Sequence, residues 1–321
     1  MKYDAIVLAG DRGTSHNIYG ENKAFLKLDG IPLIGYVLAS LEEANSIDKI
    51  YVVGPKYRLE KEIEKAADYI NDKKGLEICE QRSNLYENSW YGFLNTLPDY
   101  KEGVPLTNSA YKEYKDKAVL FIPADIPLVT AAEIEYFLSR CDIGKHDYFS
   151  GLTPEKSIKY FYPTRKAPGI KMACFHLKED KCRINNLHLV KPIMIGNREY
   201  IQKMYDYRYQ KNFRNIIKLI MEFVKTDTMF KSLWYFGLMH SALILSTIHL
   251  DMIAYINRRF LPLSSVERCI SEILQTRFTT VETPFGGTAL DIDKEEDYDA
   301  MKVMFLMWRE YQNEMVSKYN P

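Results

Sequence analysis

The 321-residue chain lacks an excess of charge of either sign. Lysine and arginine together number 43, and aspartate and glutamate also number 43, so the formal net charge is zero. The sequence has neither a basic field nor an acidic tail that would attract a polymer of the opposite charge. We therefore expect no nucleic acid among the partners of this protein.

The sequence also lacks paired cysteines. Its five cysteines are far apart, and no two of them form a Cys-x-x-Cys motif: Cys79, Cys141, Cys174, Cys182 and Cys269. An odd number of scattered cysteines argues against a disulfide framework and against a zinc site. We expect reduced thiols and a cytoplasmic protein.

Signals for export or membrane insertion are weak. The chain opens on a strand pattern instead of a basic segment followed by an apolar one, so we expect no signal peptide. No charged residue occurs between Leu233 and Leu250, but this run is slightly short for a membrane span and contains His240 and Ser241. We favour a packed helix here, and a peripheral membrane contact through residues 200–275 is the alternative.

Short apolar strands alternate with helical patterns in the first half of the chain. Helical spacing relates Ile34, Val37, Leu38 and Leu41. The predicted strands are Ala5–Ala9, Ile50–Val53, Leu76–Cys79 and Ala118–Ile122. Thr130 and Glu133 form a capping-box pattern before a further helix. Such alternation predicts an α/β fold, a Rossmann-like three-layer sandwich with a mostly parallel sheet.

The pattern changes to helix from about residue 200 to about residue 275, where Ser264 and Glu267 form a second capping-box pattern. Strand patterns then return at Thr279–Glu282 and Thr288–Ile292, before a helix from about Glu296. We therefore predict one core domain made of residues 1–199 and 276–321. Residues 200–275 are predicted to form a helical insertion in that domain.

A polar loop follows the first strand directly, where open α/β sheets bind their ligands. The loop and the end of the strand before it comprise Leu8, Ala9, Gly10, Asp11, Arg12, Gly13 and Thr14. Backbone N–H groups of such a loop can bind phosphate, and Lys23 adds a positive charge nearby. The segment points to a nucleotide or another phosphorylated ligand.

Two acidic segments would meet this loop at the same edge of the sheet. Asp125 follows the apolar strand Ala118–Ile122, and Asp293 lies in the late acidic turn. Mg²⁺ prefers oxygen ligands and commonly binds one or two carboxylates together with substrate phosphates. We expect Asp125 and Asp293 to bind Mg²⁺, with Lys23 neutralising the charge of the reacting phosphates.

Three stretches together resemble the MobA-like nucleotidyltransferases: LAGDRGTS with NKAFLKLDGIPLIGYVL, FIPADIPLVT, and ALDIDKEEDY. The resemblance implies a Mg²⁺-dependent enzyme of the EC 2.7.7 type. Such an enzyme transfers a nucleoside monophosphate from CTP or GTP to a small phosphorylated acceptor and releases pyrophosphate. Position by position, Lys23 matches the motif lysine, Asp125 the central metal-binding aspartate and Asp293 the late aspartate.

The same resemblance implies further binding residues. Glu87 and Asn88 fall where these enzymes hold the nucleotide base. The acceptor would lie toward the helical insertion, and its candidate ligands are Arg165, Lys171, Asn186 and Lys211. The loop departs from the family pattern at Asp11 and Ser15, and Arg12 is our candidate for the missing arginine. The LAGD start and the helical insertion are similar to a separate branch of the family.

Two other functions are compatible with the sequence. A glycosyltransferase that uses a nucleotide sugar would employ a similar sheet and an Asp-x-Asp metal site, which Asp291-Ile292-Asp293 matches in letters. A catalytically weak nucleotide-binding adaptor at a membrane would fit the altered loop and the uncharged run.

Overall fold

A mixed eight-stranded sheet forms the centre of the protein in the computed structural model, which describes residues 1–12, 17–202, 259 and 261–319. Its strands are β1 (Tyr3–Leu8), β4 (Ile47–Gly54), β5 (Leu76–Glu80), β6 (Val119–Pro123), β7 (Tyr148–Pro154), β8 (Phe175–His176), β9 (Lys181–Val190) and β10 (Phe278–Glu282). Two short strands, β2 (Lys27–Leu28) and β3 (Ile31–Pro32), form a separate antiparallel hairpin.

The strand order is β10-β7-β9-β6-β1-β4-β5, with β8 beside β9. Strand β9 runs antiparallel to its neighbours β6, β7 and β8, whereas the β10–β7 and β6–β1–β4–β5 pairings are parallel. The predicted α/β fold with a mostly parallel sheet is confirmed. The carboxyl ends of β1 and β6 are adjacent, since Leu8 pairs with Pro123.

Helices cover both faces of the sheet. They are α1 (Leu33–Glu43), α2 (Lys56–Lys65), α3 (Ala67–Ile70), α4 (Leu85–Asn95), α5 (Asn108–Glu113), α6 (Ala131–Ser139), α7 (Glu155–Ile158), α8 (Leu263–Leu274) and α9 (Glu295–Tyr319). Helices α1 and α6 pack on the face that carries Ala5 and Val7 of β1. Helix α4 packs on the opposite face, against Ile6. This alternation along β1 is what a strand with two buried faces requires.

The last helix, α9, packs against the first helix, α1. Trp308, Phe305 and Met301 of α9 are buried in a cluster with Leu33 and Tyr36 of α1. The rings of Tyr36 and Phe305 meet edge to face with centroids 4.8 Å apart, a favourable aromatic geometry. The late acidic turn is therefore anchored beside the amino-terminal elements.

Within the predicted insertion, the structure describes residues 200–202, 259 and 261–275, and the uncharged run Leu233–Leu250 lies outside the described residues. Helix α8 lies against β10, where the Glu267 carboxylate accepts hydrogen bonds from the Thr280 N–H at 2.7 Å and the Thr279 hydroxyl at 3.1 Å. The division into core and insertion stays a prediction. In the described part of the chain, no helix combines the length and apolar character that a membrane span requires.

Two local predictions were wrong. Residues 288–292 form no strand but a 3₁₀ turn at Gly287–Ala289 followed by irregular backbone. Ser264 does not cap α8, because that helix begins at Leu263 and Glu267 is bound to β10.

Glu133 attaches the acidic segment, defined here as residues 287–293, to α6. The Thr130 hydroxyl accepts the Glu133 N–H at 3.2 Å, which confirms half of the predicted capping box. The Glu133 carboxylate is fully buried and accepts hydrogen bonds from the Thr288 hydroxyl at 2.6 Å and the Thr288 N–H at 3.2 Å. Burial raises the pKa of Glu133 to about 7, although the Thr288 hydrogen bonds lower it.

The raised pKa of Glu133 predicts a pH-dependent stability. The pKa of Glu133 in the folded protein lies above its ordinary value of 4.5. Its burial therefore reduces the free energy of unfolding least below pH 4.5 and most above pH 7. Relative to Glu133→Gln, the wild-type protein should lose about 1–3 kcal/mol of unfolding free energy across this interval. Chemical denaturation of both proteins at pH 5 and pH 8 measures the difference.

The exposed Glu64 of α2 provides the control. The variant Glu64→Gln should follow the wild-type pH dependence. An equal pH dependence of the wild type and Glu133→Gln would contradict the prediction.

Candidate active site

The side chains of Lys23, Asp125 and Asp293 meet at the carboxyl end of β6. The Lys23 ammonium lies 2.7 Å from the Asp293 Oδ1 and 3.3 Å from the Asp125 Oδ2. The Lys23 side chain is 14% exposed, that of Asp125 16% and that of Asp293 29%. The structure thus brings together three residues that the sequence separates by as many as 270 positions.

Lys23 owes its position to Asn22. Lys23 begins a 3₁₀ turn, Lys23–Phe25, and the Asn22 side chain caps this turn by accepting the Ala24 N–H at 2.9 Å. The same side chain donates to the Ala9 carbonyl at 3.0 Å, and Asn22 is only 6% exposed. One buried amide therefore fixes the lysine turn to the end of β1, and the sequence reading missed it.

The acidic segment is anchored to β6 and β9. The Ile292 N–H donates to the Asp125 carbonyl at 3.3 Å, which places Asp293 beside Asp125. Arg183 of β9 pairs with Asp291 at 2.7 Å and also donates to the Ala289 carbonyl at 3.0 Å. Its guanidinium is nearly buried, with a side chain 11% exposed. Arg183 is a second residue that the sequence reading missed, although a charged residue in a predominantly buried strand is a recognisable signal.

The electrostatics of Asp125 favour a cation. Burial raises the pKa of Asp125 to about 6, Lys23 lowers it, and Asp291 and Asp293 raise it further. The second carboxylate oxygen, Oδ1, is buried and has no hydrogen-bond partner among the described residues. A buried carboxylate oxygen without a donor is costly, and a divalent cation would satisfy it.

The donor set fits Mg²⁺ bound jointly with a substrate. The part of the chain that the structure describes contains no cluster of three or more His, Cys, Asp and Glu side chains able to hold a metal. Two carboxylates suffice for Mg²⁺ when substrate phosphates complete its octahedral shell. Asp125 and Asp293 are the residues that would hold it.

The loop after β1 uses some of its N–H groups within the protein. The Ala9 N–H donates to the Val53 carbonyl at 2.8 Å, and the Asp11 N–H donates to the Gln81 Oε1 at 2.9 Å. These two N–H groups therefore already have acceptors within the protein, and phosphate binding by the loop stays a prediction. Gly13 and Thr14 lie outside the described residues.

Asn88 packs directly against the loop. A methyl group at Gly10 would lie 2.5 Å from the Asn88 Nδ2, so any larger residue here would force the buried Asn88 amide to shift. The Asn88 Oδ1 accepts the Arg82 N–H at 2.5 Å. Glu87 accepts the Ser83 N–H at 3.0 Å, which is a local contact at the start of α4. The structure therefore places Asn88 against Gly10, in the loop that follows β1.

Arg12 turns toward the end of β5. Its guanidinium lies 3.4 Å from the Gln81 carbonyl and 3.6 Å from the Glu80 carboxylate, and its side chain is 55% exposed. Among its described contacts, neither Lys23 nor Asp125 is present. The predicted catalytic role of Arg12 has no support in this arrangement.

The predicted acceptor residues differ in exposure where the structure describes them. Arg165 and Lys171 are exposed, and Lys211 lies outside the described residues. Asn186 of β9 donates to the Thr288 carbonyl at 2.8 Å, so its amide N–H supports the acidic segment. Their role in acceptor binding stays a prediction.

Comparisons with known proteins give one matching family model and several similar solved structures. Residues 5–150 match the model of the MobA-like NTP transferase domain. A comparison with curated protein sequences gives no significant match. Among solved structures, the chain is similar to a hypothetical transferase from Thermus thermophilus at 20% identity, over 92% of this chain and 99% of that chain, with a TM-score of 0.59.

A second similar structure is a 4-diphosphocytidyl-2C-methyl-D-erythritol synthase from Anaerococcus prevotii DSM 20548. Its identity is 12% over 95% of this chain and 96% of that chain, and its TM-score is 0.47. The likeness to the Thermus protein shows the α/β fold. Residues 5–150 match the MobA-like NTP transferase domain, the same family that the motifs around Gly10, Lys23 and Asp125 resemble.

Proposed function

We propose that the protein is a Mg²⁺-dependent nucleotidyltransferase that joins a nucleoside monophosphate to a small phosphorylated acceptor and releases pyrophosphate. The observation that carries the proposal is the Lys23 ammonium held within 3.3 Å of the Asp125 and Asp293 carboxylates at the carboxyl end of β6. Two carboxylates that can hold a divalent cation and one ammonium group suit a reaction between two phosphates. The sequence resemblance to cytidylyl- and guanylyltransferases supports CTP or GTP as the donor.

No protein nucleophile is required, because an oxygen of the acceptor phosphate attacks the α-phosphorus directly. Positioning and charge neutralisation then provide most of the catalysis. Asp125 and Asp293 would hold Mg²⁺, which when bound supplies Lewis-acid stabilisation of phosphate charge. The buried, unpartnered Oδ1 of Asp125 supports this assignment.

The Lys23 ammonium can pair either with the two carboxylates or with the phosphates of a bound triphosphate. Without substrate its ammonium neutralises the two carboxylates. With a triphosphate present, the flexible side chain can donate to the phosphate oxygens that gain charge as pyrophosphate leaves. Once Lys23 no longer pairs with Asp125 and Asp293, the carboxylate oxygens of these residues would be free to bind Mg²⁺.

The glycosyltransferase alternative is not favoured by the contacts of Asp291. Its carboxylate pairs with Arg183 at 2.7 Å and its side chain is 7% exposed. Asp293 pairs instead with Lys23 at 2.7 Å. The two aspartates thus have different cationic partners, which disfavours a metal site formed by this pair.

Pyrophosphate release tests the proposal. The protein is mixed with CTP, GTP, UTP or ATP, Mg²⁺ and a panel of sugar, polyol and lipid-headgroup phosphates. At least one pair should release pyrophosphate, and Asp125→Asn should reduce that rate about 100-fold or more, because it removes a charged metal ligand.

An exposed acid serves as the matched control. Asp142 pairs with Lys145 at 3.0 Å on the surface, and its side chain is 55% exposed. Asp142→Asn should retain the wild-type rate. Release of a nucleoside diphosphate from a nucleotide sugar, with no pyrophosphate from any triphosphate, would replace the proposal by the glycosyltransferase alternative.

Lys23→Gln should reduce kcat about 100-fold while changing the affinity for the triphosphate less. The amide can still hydrogen-bond to a phosphate but supplies no charge to the leaving pyrophosphate. Steady-state kinetics and calorimetric binding of the same nucleotide separate the two effects, with Lys145→Gln as control. An unchanged kcat would show that Lys23 takes no part in the chemistry.

A further inference from the structure

We propose that Gln81 is a positioning residue for the nucleotide-binding loop, which it holds by a reciprocal pair of hydrogen bonds to Asp11. This inference rests on the proposed function, since it concerns the loop that would contact the triphosphate. Gln81 follows β5 directly, and neither its type nor its position in the sequence suggested a role.

The two residues exchange hydrogen bonds in both directions. The Asp11 N–H donates to the Gln81 Oε1 at 2.9 Å, and the Gln81 Nε2 donates to the Asp11 Oδ1 at 2.7 Å. Gln81 is 4% exposed, and its own N–H donates to the Gly54 carbonyl at 2.9 Å. The loop after β1 is thereby fixed to the ends of both β4 and β5.

This contact explains how the loop accommodates an aspartate where the resemblance leads one to expect glycine. A carboxylate that faced a triphosphate would repel it, because like charges at hydrogen-bond distance destabilise each other strongly. The hydrogen bond from Gln81 directs the Asp11 carboxylate to β5 instead. The Arg12 side chain also extends toward the end of β5, where its guanidinium lies 3.4 Å from the Gln81 carbonyl.

The position of Gln81 also affects Gly10. The Gln81 Oε1 lies 3.3 Å from where a Cβ of Gly10 would be, on the side where Asn88 also packs. Gln81 and Asn88 are both buried, at 4% and 5% exposure. The backbone at residues 10 and 11 therefore rests on two buried amides, and we expect its position to depend on the Gln81 side chain.

Exchanging the amide of Gln81 and the carboxylate of Asp11 between the two positions tests this contact. Gln81→Glu places two carboxylates against each other and should weaken the binding of CTP or GTP with Mg²⁺ about tenfold or more. Asp11→Asn alone keeps an acceptor for the Gln81 Nε2, so binding should stay within about threefold of the wild type. In the double variant, the new amide can donate to the new carboxylate, which still accepts the N–H of residue 11, and binding should recover. A tenfold change in affinity corresponds to about 1.4 kcal/mol.

Calorimetric nucleotide binding and the melting temperature are measured for all four proteins, with Gln275→Glu as control. Gln275 is exposed after α8 and receives the same added charge. The proposal is overturned if the double variant binds nucleotide as weakly as Gln81→Glu. It is also overturned if Gln81→Glu lowers only the melting temperature and leaves nucleotide affinity unchanged, because Gln81 would then have only a structural role.

The same measurements separate this inference from the proposed function. If the wild-type protein binds none of CTP, GTP, UTP and ATP with Mg²⁺, the proposed function fails and the inference fails with it. If the wild type binds a triphosphate and the exchange does not restore affinity, the inference alone fails.

Discussion

The ion pairs of Lys23 with Asp125 and Asp293 are the interaction on which the arrangement of the site depends. Two carboxylates brought this close would repel each other strongly in a largely buried setting. The ammonium between them offsets that repulsion and links the first, middle and last parts of the chain. The cost of burying these charges is only partly recovered by their attraction, which suits a site whose groups must exchange partners with a substrate.

Buried polar residues around Lys23, Asp125 and Asp293 hold these three side chains in place. Asn22 binds the lysine turn to β1, Gln81 binds the loop to β5, and Arg183 and Glu133 bind the acidic segment to β9 and α6. Each is a buried polar group with its partners supplied by backbone or a neighbouring side chain. Buried polar networks of this kind fix one geometry because any alternative leaves groups unsatisfied.

The antiparallel strand β9 gives the fold its asymmetry. It separates β6 from β7 and pairs with both, so Arg183 and Asn186 lie beside the acidic segment instead of at the far edge of the sheet. The proposed chemistry therefore depends on a strand outside the repeating βα pattern. The position of β9 also explains why Asn186, which we expected to contact an acceptor, donates a hydrogen bond to the Thr288 carbonyl.

The sequence determined the parallel strands, the helices with apolar spacing and the meeting of Lys23, Asp125 and Asp293, because apolar periodicity and strand-end position are local properties. It could not locate β9, the irregular course of residues 288–292 or the partners of Arg12 and Asp11. Only the tertiary structure decided these, because a polar side chain can bind any donor or acceptor within reach. That choice depends on which distant segments pack beside it.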